Sequence, residues 1–303
     1  MSLVVGVDVG GSGLRCQVVV DGVPGPVLSG AGLRIEATGI DIVSLVDSMV
    51  PLVPAGADVL VWSMRGILAL ADPVALMALI RARLGVHDVW VCGDALAAMV
   101  GAVGAVRPGA VVAAGTGAIA FATDFDQVWR KVDGWGHVLG DRGSSAWVGI
   151  QALEVALTTF DGVTPGGEAL LAAATEQLGP PDTWPRTVMT RPDAVAVLAG
   201  LAPIVTRLAS SDDVAARICA DAGRELARSL AVAAQGIDGV CVSRTGGLLT
   251  APPVQEAFDA AAAALGLAVQ PPAGTGLDGA VLLAEALAAG EELTVHPAYL
   301  QRG

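Results

Sequence analysis

The twelve residues Gly134–Ser145, GWGHVLGDRGSS, contain four glycines together with an indole, an imidazole and a carboxylate. Glycine lets the backbone approach a ligand closely, so Trp135, His137 and Asp141 stand where a small molecule could be held. Each also has an ordinary structural role open to it. Trp135 and His137 can pack as loop residues. Asp141 can cap the helix that follows, although Ser144 is better placed to do so.

A second candidate for chemistry is Asp94, in the stretch VCGDALAA. It ends an apolar strand and stands just before a helix predicted over Ala95–Val106. An Asp at this position can cap the helix, which is the role that the local pattern favours. A carboxylate there can also accept a proton from a hydroxyl group during group transfer. The local pattern leaves both roles open.

The glycine turn DVGGSG, Asp8–Gly13, lies between two predicted strands. A dinucleotide fingerprint would open a helix instead, so that kind of site is disfavoured. A glycine hairpin can aim several backbone N–H groups at one anion, and Asp8 at the strand end can hold Mg²⁺ through water. The alternative is a plain tight hairpin. The residues of this turn are Gly10, Gly11, Ser12 and Gly13.

The stretch AAGTGA, Ala113–Ala118, repeats this design in the second half of the chain, with Thr116 as the hydroxyl residue. Two strand–glycine turn–strand openings, about a hundred residues apart, indicate a duplicated domain plan. A third glycine pair, Gly246-Gly247 in RTGGLLTAP, follows another strand, and such a turn lets a planar base approach the backbone.

Strands and helices alternate along the chain, which predicts the α/β class. The predicted strands are Leu3–Gly10, Leu14–Gly22, Ala57–Met64, Asp88–Ala95, the two flanking the second glycine turn, and Gly239–Gly247. The predicted helices are Ile40–Leu52, Asp72–Leu84, Ala95–Val106, Ser145–Thr159, Ala194–Ala209, Asp212–Gln235, one from Val254 and Asp278–Ala289. Asp161–Pro192 is rich in Gly and Pro and carries no predicted helix.

Arg107-Pro108-Gly109 breaks the chain, and the pattern restarts after it. We therefore predict an N-terminal domain over residues 1–107 and a C-terminal domain over residues 108–303, with the last helix free to pack back toward the first domain.

The composition restricts the partners. The 303 residues carry a net charge of −13, which argues against nucleic acid or an anionic membrane as a partner. The start MSLVVGVDVGG has no basic region or cleavage site. Apolar runs are short or broken by Gly and Pro, so no membrane span is predicted. A soluble cytoplasmic protein is expected.

Taken together, the motifs resemble the BadF/BadG/BcrA/BcrD and N-acetylglucosamine kinase family of the actin/hexokinase/Hsp70 superfamily, over nearly the whole chain. The most specific motif is GWGHVLGDRGSS, since family members have GGWG-x-x-LGD-x-GS there. The resemblance implies two actin-like (ribonuclease H-like) domains with a nucleotide and sugar cleft between them. The motifs that carry it are DVGGSGLR, GDA at Gly93–Ala95, GTGA and GWGHVLGDRGSSAWVG.

This resemblance implies an ATP- and Mg²⁺-dependent kinase that phosphorylates the 6-hydroxyl of an amino sugar. Asp94 falls on the catalytic base of the family, and Asp8 would orient Mg²⁺ through water. The implied nucleotide contacts are Gly10, Gly11, Ser12, Gly13, Arg15, Gly115, Thr116, Gly117, Gly246 and Gly247. The implied sugar contacts are Asp94, Thr116, Trp135, Gly136, His137 and Asp141. The carboxylate of Asp141 suits sugar hydroxyls, because it accepts their protons in charge-assisted hydrogen bonds.

The chain departs from the family at two places. Gly13 stands where many members have Lys, and Arg15 is the candidate substitute. Ala118-Ile119 follows GTG, where N-acetylglucosamine kinases often have Ser-Asn. Free glucosamine needs a carboxylate near its ammonium, and Asp133 can supply one, although an exposed turn residue is the alternative. The chain is most similar to actinobacterial glucosamine kinases, with N-acetylglucosamine as the alternative substrate.

Two further alternatives belong to other classes. A dehydratase-activator-type ATPase shares the fold but needs surface cysteines for an iron–sulfur cluster. A non-catalytic sugar sensor would carry a helix-turn-helix, for which there is no room before Leu3. The four cysteines Cys16, Cys92, Cys219 and Cys241 all lie in strand or helix interiors, as buried thiols do. Apolar helices in the second domain allow a homodimer.

Overall fold

The computed structural model describes residues 2–10, 13–30, 32, 35–36, 39–64 and 72–303. These residues form a six-stranded sheet in the order β13-β7-β6-β1-β2-β3 and a five-stranded sheet in the order β10-β9-β8-β11-β12. The strands of the first sheet are β1 Leu3–Gly10, β2 Gly13–Val20, β3 Val23–Gly30, β6 Val59–Met64, β7 Asp88–Gly93 and β13 Leu300–Arg302. A separate two-stranded sheet pairs β4 Ile35–Glu36 with β5 Gly39–Ile40. The second sheet contains β8 Gly109–Ala114, β9 Ala118–Thr123, β10 Trp129–Asp133, β11 Cys241–Thr245 and β12 Val269–Gln270.

Helices cover both sheets, so the predicted α/β class is confirmed. The six-stranded sheet with α1, α2, α3 and α11 is called the first lobe here, and the five-stranded sheet with α4 to α10 the second lobe. The helices are α1 Ile42–Met49, α2 Pro73–Leu84, α3 Asp94–Val103, α4 Ser145–Phe160, α5 Glu168–Leu178, α6 Trp184–Thr190, α7 Ala194–Ala199, α8 Ala202–Leu208, α9 Asp213–Ala234, α10 Pro252–Ala264 and α11 Gly276–Ala288.

The predicted duplication is present in the sheets. β1 pairs antiparallel with β2 from Leu3↔Val20 to Gly10↔Gly13, and β8 pairs antiparallel with β9 from Gly109↔Thr123 to Ala114↔Ala118. The second hairpin is closed by the Gly115–Gly117 turn, whereas residues 11 and 12 of the first hairpin lie outside the described residues. Parallel strands extend each sheet beside its hairpin, β6 next to β1 and β11 next to β8.

The lobes contain three apolar cores. One lies on the outer face of each sheet, and the third lies between the sheets, around α3 and α11. The two helices of the middle core touch at glycines: a Cβ added to Gly101 would lie 1.8 Å from the carbonyl oxygen of Thr275, and one added to Gly279 would lie 1.9 Å from that of Ala97. The middle core holds α3, whose first residue is Asp94, between the two sheets.

The C-terminal segment returns to the first lobe. Helix α11 packs on β1 and β6, and β13 pairs antiparallel with β7. The domain boundary after residue 107 remains a prediction, but α11 and β13 lie with the first sheet. No single helix in the described ranges is long and apolar enough to span a membrane. Ala194–Leu208 and Asp213–Ala234 pass that test only as a pair, across a bend of 117°.

Several predicted boundaries are wrong for local reasons. Asp161–Pro192 contains α5 and α6, because its Gly and Pro residues stand mainly at helix ends rather than in helix interiors. The helix predicted over Ala194–Ala209 is split at Gly200-Leu201, where Pro203 has no N–H to continue the helical ladder. The start of α2 was predicted correctly: the Asp72 side chain accepts N–H bonds from Val74 and Ala75.

Candidate active site

A cavity of about 750 Å³ opens between the two lobes. Its first-lobe wall is the start of α3 at Gly93–Ala95, and its second-lobe wall is the β8–β9 turn with part of the loop that follows β10. Ala298 and Tyr299 from the C-terminal segment also line it. The sequence-predicted residues that line this cavity are Asp94, Gly115, Thr116, Gly117, Gly136, His137 and Asp141.

Polar side chains form one row at the end of the first sheet. The strand register places Asp8 of β1 beside Ser63 of β6, and Ser63 beside Cys92 of β7. Ser63 Oγ lies 3.4 Å from Asp8 Oδ1. Burial, with the negative charges of Asp8 and Asp94 nearby, raises the pKa of the Cys92 thiol. Cys92 is therefore a neutral, buried neighbour of two carboxylates that the sequence analysis singled out.

Asp94 is the first residue of α3, and its carboxylate faces the cavity between the lobes. The N-cap position belongs to Gly93, without a side-chain capping bond, so the capping role that the local pattern favoured for Asp94 is wrong. Asp94 Oδ1 accepts the N–H of Ala95 at 3.0 Å. The helix predicted over Ala95–Val106 begins at Asp94 and ends at Val103, since Gly104 adopts a left-handed conformation.

Asp8 is engaged by the residue proposed to replace a phosphate-binding Lys. Arg15 Nη2 lies 2.7 Å from Asp8 Oδ2, with the Arg15 side chain 51% exposed and that of Asp8 15% exposed. Gly10 and Gly13 end the two strands of this hairpin and pair with each other. Gly11 and Ser12, predicted nucleotide contacts, lie outside the described residues. Asp8, Gly10, Gly13 and Arg15 lie near the turn end of the β1–β2 hairpin and do not line the cavity wall.

The second glycine turn is tied to the start of α4. The N–H of Gly115 donates to the carbonyl of Gly117 at 2.9 Å. The N–H groups of Ser145 and Ala146 donate to the carbonyls of Gly115 and Thr116, at 2.9 and 3.1 Å. The end of the GWGHVLGDRGSS stretch therefore holds the turn whose Thr116 side chain is exposed to the cavity.

The loop between β10 and α4 is closed by two carboxylates. Asp133 accepts the N–H groups of Asp141 and Arg142, at 2.8 and 2.7 Å. Asp141, 7% exposed, accepts the N–H of Gly136 at 3.0 Å. Each carboxylate thus accepts a backbone N–H group from another part of the loop.

The capping alternatives for this loop are resolved by α4. Ser144 is the N-cap, since its Oγ accepts the N–H of Trp147 at 3.1 Å, so the alternative in which Asp141 caps this helix is wrong. Asp133 was weighed as an exposed turn residue or as a partner for a sugar ammonium. It instead binds two backbone N–H groups of the loop.

Lys131, the one lysine of the chain, lines the cavity and was not predicted to do so. Its Nζ donates to the carbonyl of Gly134 at 3.0 Å and lies 4.0 Å from the ring centroid of Trp135. These contacts hold a cation at the cavity wall. Trp135 itself is 67% exposed, so the core alternative for this residue is wrong. The signal in the sequence was the scarcity of Lys and its place just before the glycine-rich loop.

The third glycine pair lies beside the end of β8. Gly246 has φ of +105°, and a Cβ added to it would lie 2.2 Å from the carbonyl oxygen of Ala114. Gly247 has open space around its Cα. Gly246 therefore brings the turn after β11 against the strand that leads into the Gly115–Gly117 turn. Neither glycine lines the cavity.

The cysteines are not arranged as cluster ligands. Cys16, Cys92 and Cys219 are buried free thiols, as predicted, whereas Cys241 is half-buried with its Sγ 3.4 Å from Arg107 Nη2. In the part of the chain that the structure describes, no three His, Cys, Asp or Glu side chains come together in a group that could hold a metal ion.

Comparison with known proteins relates this site to one family. The sequence model of the BadF/BadG/BcrA/BcrD ATPase family matches residues 54–284. The chain is 38% identical over 71 residues to an N-acetylmuramic acid/N-acetylglucosamine kinase from Clostridium acetobutylicum. That match spans 23% of this chain and 23% of the length of that curated relative.

Solved structures of sugar kinases share this fold. A candidate N-acetylglucosamine kinase from Chromobacterium violaceum superposes with a TM-score of 0.71 at 23% identity, over 93% of this chain and 99% of that one. A ROK family glucokinase from Streptomyces griseus, in complex with glucose and AMPPNP, superposes with a TM-score of 0.56 at 18% identity, over 94% of this chain and 99% of that one. The fold is therefore the two-lobed actin-like fold of these sugar kinases, as predicted.

Proposed function

Because the chain belongs to the BadF/BadG/BcrA/BcrD ATPase family, we propose that it is an ATP-dependent kinase that phosphorylates the primary hydroxyl of an amino sugar. One observation carries the proposal: a single cavity between the lobes is lined by the Asp94 carboxylate on one side and by the Gly115–Gly117 turn on the other. Phosphoryl transfer needs a base beside the acceptor and a cradle for the phosphates, and this cavity offers both. The kinase names of the relatives support the same class.

The reaction follows from these two groups. The sugar oxygen attacks the γ-phosphorus of ATP and forms the new O–P bond, while the bond to the β-phosphate oxygen breaks and ADP leaves with its electron pair. Asp94 accepts the hydroxyl proton as the new bond forms. Its place at the start of α3 puts the carboxylate between the two lobes, where a sugar and a nucleotide held by opposite walls would meet.

The nucleotide would be held by the three glycine turns. The phosphates would contact Thr116 and the turn around it, and the Gly10–Gly13 hairpin would close on them from the first lobe. The Gly246-Gly247 turn, pressed against Ala114, would support the base. Bound Mg²⁺ would supply charge neutralisation to the triphosphate, with Asp8 holding it through water and Arg15 contacting phosphate.

The sugar would lie on the loop between β10 and α4. Gly136, His137 and Asp141 line the cavity there. Carboxylates suit sugar hydroxyls, because they accept hydroxyl protons in charge-assisted hydrogen bonds. The exposed indole of Trp135 stands at the rim of the same loop. Domain closure over this loop would exclude water and suppress ATP hydrolysis.

Glucosamine is the sugar that the sequence predicts, and Lys131 bears on that choice. A fixed lysine ammonium at the cavity wall repels the 2-ammonium of glucosamine, whereas it donates a hydrogen bond to the carbonyl of an N-acetyl group. Asp133, the carboxylate considered for the sugar ammonium, accepts two backbone N–H groups. These observations favour N-acetylglucosamine as the second candidate substrate.

The test is ADP release with ATP and Mg²⁺ on glucosamine, N-acetylglucosamine and glucose, with wild type, Asp94→Asn and Lys131→Met. Asp94→Asn is expected to lower kcat by about a hundred- to ten-thousandfold, because it removes the proton acceptor. The matched control is Asp182→Asn, at an exposed carboxylate outside the cavity, with wild-type kinetics expected. If Lys131 binds the acyl group, Lys131→Met shifts the preference toward glucosamine.

ATP hydrolysis that no sugar stimulates would remove the kinase assignment. Full sugar-dependent activity in Asp94→Asn would remove Asp94 as the base, because another group would then take the proton.

A further inference from the structure

The C-terminal turn His296–Leu300 joins the two lobes beside Asp94. Its backbone belongs to the first sheet: the Tyr299 carbonyl accepts the N–H of Gly93 at 3.1 Å, and Leu300 pairs with Cys92. The residue that follows Gly93 in the chain is Asp94. The turn therefore holds the backbone immediately before the proposed base.

The side chains of the same turn pack on the second lobe. The Tyr299 ring lies nearly parallel to that of Trp129 on β10, with centroids 6.1 Å apart and planes 6° apart. His296 stacks on Tyr299 at 4.8 Å and lies 5.2 Å from Trp129. The Tyr299 ring also meets the edge of Phe121 on β9 at 4.9 Å. Aromatic pairs at these spacings are specific and favourable contacts.

The turn itself is closed by hydrogen bonds. His296 and Leu300 exchange two backbone hydrogen bonds, at 2.8 and 3.0 Å, and the N–H of Ala298 donates to His296 Nδ1 at 3.0 Å. Beyond it, Arg302 forms two hydrogen bonds with Asp88 at the start of β7. The turn is therefore hydrogen-bonded to the first sheet beside the start of α3 and stacked on β10 of the second sheet.

From these contacts we infer that Tyr299 and Trp129 are positioning residues, which set Asp94 relative to the second-lobe wall when the lobes close. The inference rests on the proposed function. Trp129 does not line the cavity, whereas Lys131, two residues further along β10, does. The aromatic stack thus links β10, which leads into the loop proposed to bind the sugar, to the Gly93 backbone that precedes the proposed base Asp94.

The experiment compares Tyr299→Phe, Tyr299→Ala, Trp129→Ala and the double alanine variant. The readouts are kcat, KM for the sugar, and the ratio of ADP formed to sugar phosphate formed. We expect Tyr299→Phe to keep wild-type values, because the stack is retained. Both alanine variants should lower kcat by about ten- to a hundredfold, as small misplacements of reacting groups do, and raise the ratio above that of wild type. The double variant should be no worse than either single variant.

The stability control is Phe258→Leu, in the fully buried core behind the second sheet, which should lower the unfolding midpoint without raising the ratio. Wild-type kinetics in Trp129→Ala, with Tyr299→Ala impaired, would overturn the inference, because Tyr299 would then act by touching the substrate. An unchanged ratio in both alanine variants, with only the unfolding midpoint lowered, would overturn it as well.

Failure of the proposed function gives a different pattern. In that case wild type itself forms no sugar phosphate with any sugar, before any variant is compared.

Discussion

The two walls of the cavity are built in different ways. The first-lobe wall is the start of α3 at Gly93–Ala95, which carries Asp94, and the Asp8–Arg15 ion pair lies on other strands of the same sheet, outside the cavity lining. The second-lobe wall is made of backbone turns, each tied by hydrogen bonds: the Gly115–Gly117 turn to the start of α4, and the loop after β10 to Asp133. The β1–β2 and β8–β9 hairpins pair in the same antiparallel way, and the Gly115–Gly117 turn of the second hairpin lines the cavity.

This difference separates two tasks. A set of backbone donors fixed in advance costs little reorganisation when an anion or a hydroxyl arrives, which suits the wall that would cradle the substrates. A carboxylate placed on the opposite lobe can be brought to the acceptor when the lobes close. Substitutions that strain the backbone should therefore destabilise the protein more when they fall in or beside the second-lobe wall. Substitutions that remove a charge should act mainly through the first lobe.

The largest expected effect concerns two glycines outside the cavity lining, Gly246 behind the second-lobe turn and Gly10 in the first-lobe hairpin. Gly246→Ala places a side chain at φ of +105° and 2.2 Å from the carbonyl oxygen of Ala114, so we expect a loss of about 3 kcal/mol or more in unfolding free energy. A Cβ added to Gly10 would lie 3.9 Å from the Gly13 carbonyl oxygen, which is an ordinary contact, so in Gly10→Ala the loss should stay below about 1 kcal/mol. Urea unfolding measures both. Equal losses in the two variants would contradict the difference between the walls.

A smaller effect is expected from the charged ties. Asp133→Ala leaves the N–H groups of Asp141 and Arg142 without their acceptor, which should cost about 1–3 kcal/mol and raise KM for the sugar. Arg15→Ala breaks an ion pair with a half-exposed guanidinium, which should cost about 1 kcal/mol or less and raise KM mainly for ATP. Urea unfolding and steady-state kinetics test both. A larger loss of unfolding free energy in Arg15→Ala than in Asp133→Ala would contradict the expected difference between the two lobes.

The smallest effect concerns the contact between the walls. Burial lowers the pKa of His296 below its ordinary 6.5, so the folded protein favours the neutral ring. Its contribution to stability is fully present above pH 6.5, falls as the pH drops from there to the lowered folded pKa, and then levels off. Protonation also removes the Nδ1 acceptor for Ala298. The unfolding midpoint of wild type should therefore fall more between pH 7.5 and pH 5 than that of His296→Phe. Parallel curves for the two proteins would contradict this.

The sequence predicts those features of the fold that depend on neighbouring residues. The two glycine hairpins were predictable, because apolar runs bounded by glycines define both strands and their turn. The capping of α2 by Asp72 was predictable from the Asp-Pro pair. The cavity residues Asp94, Thr116 and Asp141 were predicted from motifs and from the family that those motifs resemble.

Other features depend on residues that are far apart in the chain. Tyr299 meets Trp129 only because β13 joins the first sheet beside β7, and no local pattern predicts that pairing. The bonds from Asp133 to Asp141 and Arg142 depend on left-handed backbone at Asp133 and Asp141, which the residue types alone do not specify. Lys131 lines the cavity because β10 pairs with β9, and its position in the sequence alone does not specify that pairing.

The most direct test is a crystal structure with AMPPNP, Mg²⁺ and an amino sugar bound together. It should place the primary hydroxyl of the sugar within hydrogen-bonding distance of Asp94, and the γ-phosphate between the Gly10–Gly13 hairpin and the Gly115–Gly117 turn. A nucleotide bound away from these two turns, or a sugar whose hydroxyls all lie out of reach of Asp94, would contradict the account.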